Sequence, residues 1–197
     1  MNDLYALCDR ELLERFNLSI EDFVAAAKLF GAEVIQYRDK KGTVDEKNEN
    51  IKKLRALWDK TLIVNDEIAL ARLCDGVHIG QEDLLNIIEH FGARSAAEAI
   101  TLIKKMIGAK IIGLSTHNLT EITAANELDI DYIGLGAYRA SSTKDVSVVL
   151  GDKLPLLAAS SRHKVVAIGG IRLFEYIPNV WLKAVGTDLC IKALTYA

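Results

Sequence analysis

Proline and cysteine are both scarce in this 197-residue chain, which holds two prolines and three cysteines. Cys8, Cys74 and Cys190 are odd in number and widely, irregularly spaced. That argues against a disulfide framework and for reduced thiols in a cytosolic protein. No zinc-ligand spacing, no GxGxxG and no GxxxxGK[ST] occurs. No apolar run approaches the ~20 residues of a membrane span, so no membrane role is expected. The opening MNDLYALCDRELLERF meets acidic residues at once, so no secretory leader is expected there. Blocks of positive charge are missing too: 24 Lys+Arg stand against 27 Asp+Glu, a formal charge of −3, which offers nucleic acid no electrostatic footprint. What remains is 50% hydrophobic and 26% charged. That balance excludes a disordered chain and predicts one globular domain over residues 1–197 with enough apolar material for a full core.

The apolar residues come in a rhythm. Eight short runs rich in Val, Ile and Leu recur: LYALCD (4–9), EVIQYR (33–38), TLIVND (61–66), GVHIG (76–80), KIIGLS (110–115), YIGLG (132–136), KVVAIGG (164–170) and KAVGTDLCI (183–191). Between most of them lie segments with helical spacing, such as IEDFVAAAKLF, EKNENIKKLRALW, AAEAITLIKKMI and LTEITAANEL. Continuous rather than alternating apolar strands suit a parallel sheet covered on both faces. Strand–helix alternation allows an open doubly wound sheet or a closed barrel, and eight units favour the barrel. The expected fold is therefore a compact (β/α)8 TIM barrel. Its final helix is expected to be short or missing, since only IKALTYA follows the eighth run. Residues 83–106 are long enough for two helical pieces broken near Gly92.

Polar residues gather where these runs end. Gln36-Tyr37-Arg38-Asp39-Lys40 closes the second, Asn65-Asp66 the third, and His78-Ile79-Gly80-Gln81-Glu82-Asp83 follows the fourth. Ser115-Thr116-His117 ends the fifth, Ser141-Ser142-Thr143-Lys144 follows the sixth, and Gly169-Gly170 ends the seventh. In a parallel barrel all these ends meet on one face, the face that carries barrel active sites. Arg38 and Lys40, two residues apart, can turn to the same side. Arg offers a planar fork to phosphate oxygens and Lys a point charge, and Lys144 adds a third cation. Asp66 and Asp83 are hard oxygen donors of the kind Mg²⁺ takes one or two of. Together they fit a magnesium–pyrophosphate group. The AIGGI turn offers a second anion site, of the kind phosphate-binding barrels place near strands seven and eight. Two anion sites suggest two phosphorylated substrates joined in one pocket.

Taken singly, these residues have plainer readings. Asn65 and Asp66 are good helix caps, Ser115 and Ser141 suit caps or turns, and His78 between Val77 and Ile79 suits a core. His117 could cap a helix, and the cysteines lack a neighbour placed to activate them.

The segment VNDEIALARLCDGVHIGQEDL (64–84) resembles the hallmark of the thiamine-phosphate synthase family. The likeness extends through QYRDK (36–40), IIGLSTHNLTEITAANELDIDYIGLG (111–136), SSTKD (141–145) and VAIGGI (166–171), in the family's order. It implies a transferase that joins 4-amino-2-methyl-5-hydroxymethylpyrimidine pyrophosphate to a thiazole phosphate, with or without a 2-carboxylate, releasing pyrophosphate. Mg²⁺ would assist and a pyrimidine-methyl cation would be captured. By motif position, Gln36, Arg38, Lys40, Asn65, Ser115 and Lys144 would hold the pyrophosphate, and Asp66 and Asp83 the metal. Ser141, Thr143 and Gly170 would meet the thiazole phosphate, with Ile168 and Gly169 lining that side. Arg38, Lys40, Ser115 and Lys144 would carry the catalysis, and no protein nucleophile is required. A homo-oligomer is compatible with the sequence.

Two rival readings accompany this one. A thiazole tautomerase on the same fold would use a His at the position of His117, but it lacks the ND pair and the GQED acid, both of which this chain keeps. A non-catalytic thiamine-precursor binder is favoured only by the departures from pattern. Those are GAYRASSTK (136–144), where the family's prolines are lost and Ser141 stands for Thr, and the loosely matching AVGTDLCIKALTYA (184–197).

Overall fold

Eight parallel strands close into a barrel in chain order, β8 (Leu182–Val185) returning to β1 (Leu4–Asp9). Between them run β2 (Ala32–Arg38), β3 (Thr61–Asn65), β4 (Gly76–Ile79), β5 (Ile111–Thr116), β6 (Tyr132–Leu135) and β7 (Lys164–Ala167). The structure is a computed structural model, and it describes residues 3–140 and 149–196. No helix among the described residues is long and apolar enough to cross a membrane.

The strand residues alternate in a two-step period. One set faces the barrel interior and packs there as a layer: Tyr5, Val34, Ile63, Tyr132, Val166 and Leu182. The other set meets the helices, where Phe23, Ile51, Leu54, Ile100 and Ile103 are buried against it. Being covered on both faces is what the continuous apolar runs demanded.

The helices start where the sequence offers caps. Asp9 caps α1 (Arg10–Phe16), and Ser19 and Thr43 form capping boxes at α2 (Ile20–Leu29) and α3 (Val44–Leu57). The expected break near Gly92 is there: α4 (Gln81–Phe91) ends on Gly92 in the left-handed region, and α5 (Ala96–Ile107) follows. Then come α6 (Leu119–Ala125), α7 (Leu154–Ala158) and α8 (Thr187–Tyr196).

The eighth strand is shorter than the run over 183–191 suggested, because residues from Thr187 onward are helical. Their apolar residues Leu189, Cys190 and Ala193 have helical spacing and are buried against the barrel, so they belong to a helix face rather than to a strand. The final helix is thus present, and at ten residues it is as long as α2. Among the described residues, two connections lack an α-helix. β3 reaches β4 through a 3-10 segment, Ile68–Leu73, and β7 reaches β8 through the irregular stretch 168–181. There the buried Lys183 does what a helix would otherwise do. Its ammonium donates to the carbonyls of Leu173 and Glu175 and pairs with Asp3 at 3.0 Å, binding the crossing chain to the barrel wall.

Candidate active site

The carboxyl ends of the strands carry the polar cluster. Gln36 and Arg38 sit at inward positions of β2, and Gln36 is buried. The Arg38 guanidinium is ion-paired with Asp9 at the end of β1. Asp9 is only 1% exposed, and its other oxygen accepts the backbone N–H groups of Glu11 and Leu12 at 3.0 and 3.2 Å. One carboxylate therefore starts a helix and aims an arginine. The sequence reading missed Asp9. Its signal was the two-step spacing Tyr5, Leu7, Asp9, which carries an acid to the interior face at a strand end.

Beyond Arg38 the chain turns sharply around Asp39, whose carboxylate accepts the N–H groups of Gly42 at 2.7 Å and Lys41 at 3.0 Å and the Tyr37 hydroxyl at 3.0 Å. Burial opposes the Asp39 charge, but the Gly42 and Lys41 N–H groups outweigh it and hold the carboxyl below its ordinary value. This nest fixes the backbone beside Lys40, whose ammonium reaches Asp66 at 2.5 Å.

Asp66 occupies the left-handed region at φ 62°, a conformation that Asp tolerates better than most residues. Its position is set by its N–H donating to the His78 carbonyl at 2.8 Å, by Gly80 N–H on Oδ1 at 3.1 Å, and by the Asn65 amide on Oδ2. Asp83, in the first turn of α4, lies on the other side of Gly80. A methyl group placed on Gly80 would stand 2.7 Å from the Asp83 carboxylate and 3.8 Å from that of Asp66. Burial, and then the charge of Asp66, raise the Asp83 carboxyl above its ordinary value, while Lys40 pulls it down. Two carboxylates that repel across a glycine, backed by one lysine, form a donor set that a hard divalent cation would relieve. Two carboxylates are donors of the kind Mg²⁺ would take, and no group of three or more His, Cys, Asp or Glu gathers among the described residues to form an all-protein metal site.

Ser115 closes this side of the rim. Its hydroxyl is 3.0 Å from His78 Nε2, and its carbonyl accepts the Gln81 amide. Across the barrel, Gly169 at φ 101° and Gly170 at φ 62° follow β7, and Ile168 packs against the interior layer. The chain after β6 is laced to this turn: Tyr138 and Arg139 N–H groups donate to the carbonyls of Ile168 and Gly169 at 2.8 and 2.9 Å. Arg139 is held in turn by Glu175 through two hydrogen bonds. Lys40, Asn65, Asp66 and Asp83 thus form one joined cluster on the β2–β4 side, and the glycine turn lies apart on the β6–β7 side. Ser141, Thr143 and Lys144 lie outside the described residues.

The other candidates resolve plainly. All three cysteines are free and buried. Burial pushes the thiols of Cys74 and Cys190 up to about 12 and that of Cys8 higher, so none is a ready thiolate. The His117 ring meets Glu121 of α6 at 2.9 Å.

A closed parallel barrel with its charged side chains collected at the strands' carboxyl ends is the arrangement of a (β/α)8-barrel enzyme. The model of the family "Thiamine monophosphate synthase" matches residues 4–187. The chain belongs to that family, and its curated relatives are thiamine-phosphate synthases, which are transferases. It is 38% identical over 175 residues to the thiamine-phosphate synthase of Persephonella marina, covering 85% of this chain and 76% of that one. With the thiamine-phosphate synthase of Dictyoglomus thermophilum it shares 37% over 179 residues, covering 86% and 73%. Among solved structures, the thiamine phosphate pyrophosphorylase from Pyrococcus furiosus superposes with a TM-score of 0.71 at 26% identity, covering 99% of this chain and 96% of that one.

Proposed function

We propose that this chain condenses 4-amino-2-methyl-5-hydroxymethylpyrimidine pyrophosphate with a thiazole phosphate to give thiamine phosphate and pyrophosphate. The observation that supports it most is the joined cluster of Lys40, Asn65, Asp66 and Asp83 beside the Asp9-held Arg38. Arg38 and Lys40, with Lys144 farther along the chain, would grip the pyrophosphate. Gln36 and Ser115 would add neutral hydrogen bonds. Asp66 and Asp83 would hold Mg²⁺, which when bound supplies positive charge to the pyrophosphate oxygens. The bond from the pyrimidine methylene carbon to oxygen breaks, and its electron pair leaves with the pyrophosphate. The lone pair of the thiazole nitrogen then forms the new C–N bond, so the protein needs neither nucleophile nor general base. Its contribution is to stabilise the departing anion and to hold the two rings in line. The backbone N–H groups at Gly169 and Gly170, with Ser141 and Thr143, would take the thiazole phosphate, and Ile168 would line its ring.

The test is a stoichiometric one. Thiamine phosphate and pyrophosphate should appear in equal amounts when both substrates are present, and neither should appear from one substrate alone. Binding of both substrates without product would turn the reading to a precursor-binding protein.

A further inference from the structure

Three buried side chains that the proposed chemistry leaves unused form a line through the barrel. The Tyr5 and Tyr132 hydroxyls are 2.9 Å apart, Tyr132 Oη is 3.0 Å from His78 Nδ1, and His78 Nε2 is 3.0 Å from the Ser115 hydroxyl at the mouth. The strands are shaped around this line. A methyl group on Gly113 would stand 2.1 Å from the Tyr132 ring, and one on Gly134 would stand 2.9 Å from His78 Cε1. The His78 and Tyr132 rings stack at 5.4 Å between centroids.

We propose that this is a directed hydrogen-bond chain, Tyr5 to Tyr132 to His78 to Ser115, which presets the Ser115 hydroxyl as a donor to the anion bound at the mouth. The inference rests on the reading of Ser115 as a pyrophosphate contact. Direction follows from counting hydrogens. A neutral imidazole has one donor nitrogen and one acceptor nitrogen. If Ser115 donated to Nε2, then Nδ1–H would donate to Tyr132 and Tyr132 to Tyr5. The buried Tyr5 hydroxyl hydrogen would then have no acceptor among the described residues. In the opposite sense every hydrogen is used: Tyr5 donates to Tyr132, Tyr132 to Nδ1, and Nε2–H to the Ser115 oxygen. The Ser115 hydrogen then points at the ligand. Burial raises both phenols above their ordinary values, so both keep their protons as donors. Tyr5, Tyr132 and His78 are positioning residues here, acting through Ser115.

Two measurements test it. Nitrogen NMR of the histidine-labelled wild-type protein at mildly alkaline pH should show His78 protonated at Nε2 and bare at Nδ1. The reverse tautomer overturns the chain, and this reading needs no variant to fold. In parallel, Tyr132→Phe should lower kcat about tenfold in the parent but less than about twofold in a Ser115→Ala background. An equal loss in both backgrounds would make Tyr132 a merely structural residue and overturn the proposal. Should Ser115→Ala turn over like the parent, the placing of Ser115 in the anion site falls and takes the proposal with it. A large Ser115→Ala effect with the wrong tautomer overturns the chain alone.

Discussion

Asp83 is the residue on which the metal reading is most exposed to test. It lies beside Asp66, and burial and the Asp66 charge both disfavour its charged form, which Lys40, paired to Asp66, offsets only in part. Asp83→Ala removes that repulsion along with a proposed ligand. The fold should therefore hold or gain slightly in melting temperature, while kcat falls by about a hundredfold or more. Unchanged turnover would remove Asp83 from the metal site. Asp9 makes the complementary case, a residue argued to act through its neighbour. Asn is nearly as good a helix cap as Asp, so Asp9→Asn should keep α1 and lose only the charge that holds Arg38. Stability should drop by about 1–3 kcal/mol, and KM for the pyrimidine pyrophosphate should rise while KM for the thiazole phosphate stays. A variant that loses stability with both KM values unmoved would make Asp9 a cap and nothing more.

At the scale of elements, the strands were the most legible part of the sequence. β1 coincides with LYALCD, and β2 to β7 begin within one residue of their apolar runs. Parallel strands buried on both faces leave that mark directly. The eighth run misled because Gly186 separates a strand and a helix that are both apolar, and composition alone cannot tell two steps from 3.6 over so few residues. Of the strand-end residues, Gln36, Arg38, Asn65 and Ser115 all fall on inward two-step positions. What stayed hidden was pairing across the barrel. His78 reaches Tyr132 54 residues away, and Tyr5 reaches Tyr132 across 127, distances over which no local pattern speaks. His78 read from its neighbours as a core histidine, and it is one, but with both ring nitrogens engaged. The glycine turn after β7 can be tested at this scale. At φ 101° a side chain on Gly169 is strained, and its Cβ would stand 2.5 Å from that of Ala137. Gly169→Ala should therefore raise KM for the thiazole phosphate about tenfold or more and leave KM for the pyrimidine substrate alone. The opposite split would assign the turn to the wrong substrate.

For the molecule as a whole, the barrel is closed with fewer α-helices than strands would ordinarily recruit at β3–β4 and β7–β8, and polar tethers make up the difference. Lys183 binds the β7–β8 crossing to the barrel wall, and Glu175, on the same crossing, holds Arg139 from the chain after β6. The Arg139 hydrogen bond keeps the Glu175 carboxyl below its ordinary value of 4.5. A lowered folded-state value means that the tether contributes fully above about pH 4.5 and is lost as pH falls through the depressed value. Glu175→Gln should therefore be less stable than the parent at neutral pH and lose less further stability on acidification, as urea titrations at a series of pH values would show. Parallel curves would mean that the pair adds nothing to the fold. The central question for the molecule is whether the rim of Arg38, Lys40, Asp66 and Asp83 handles a magnesium pyrophosphate. The most direct measurement is the rate of thiamine phosphate formation from saturating substrates, in Mg²⁺ and again after EDTA. The rate should fall to background with EDTA and return when Mg²⁺ is restored; a rate indifferent to the chelator would contradict the account at its centre.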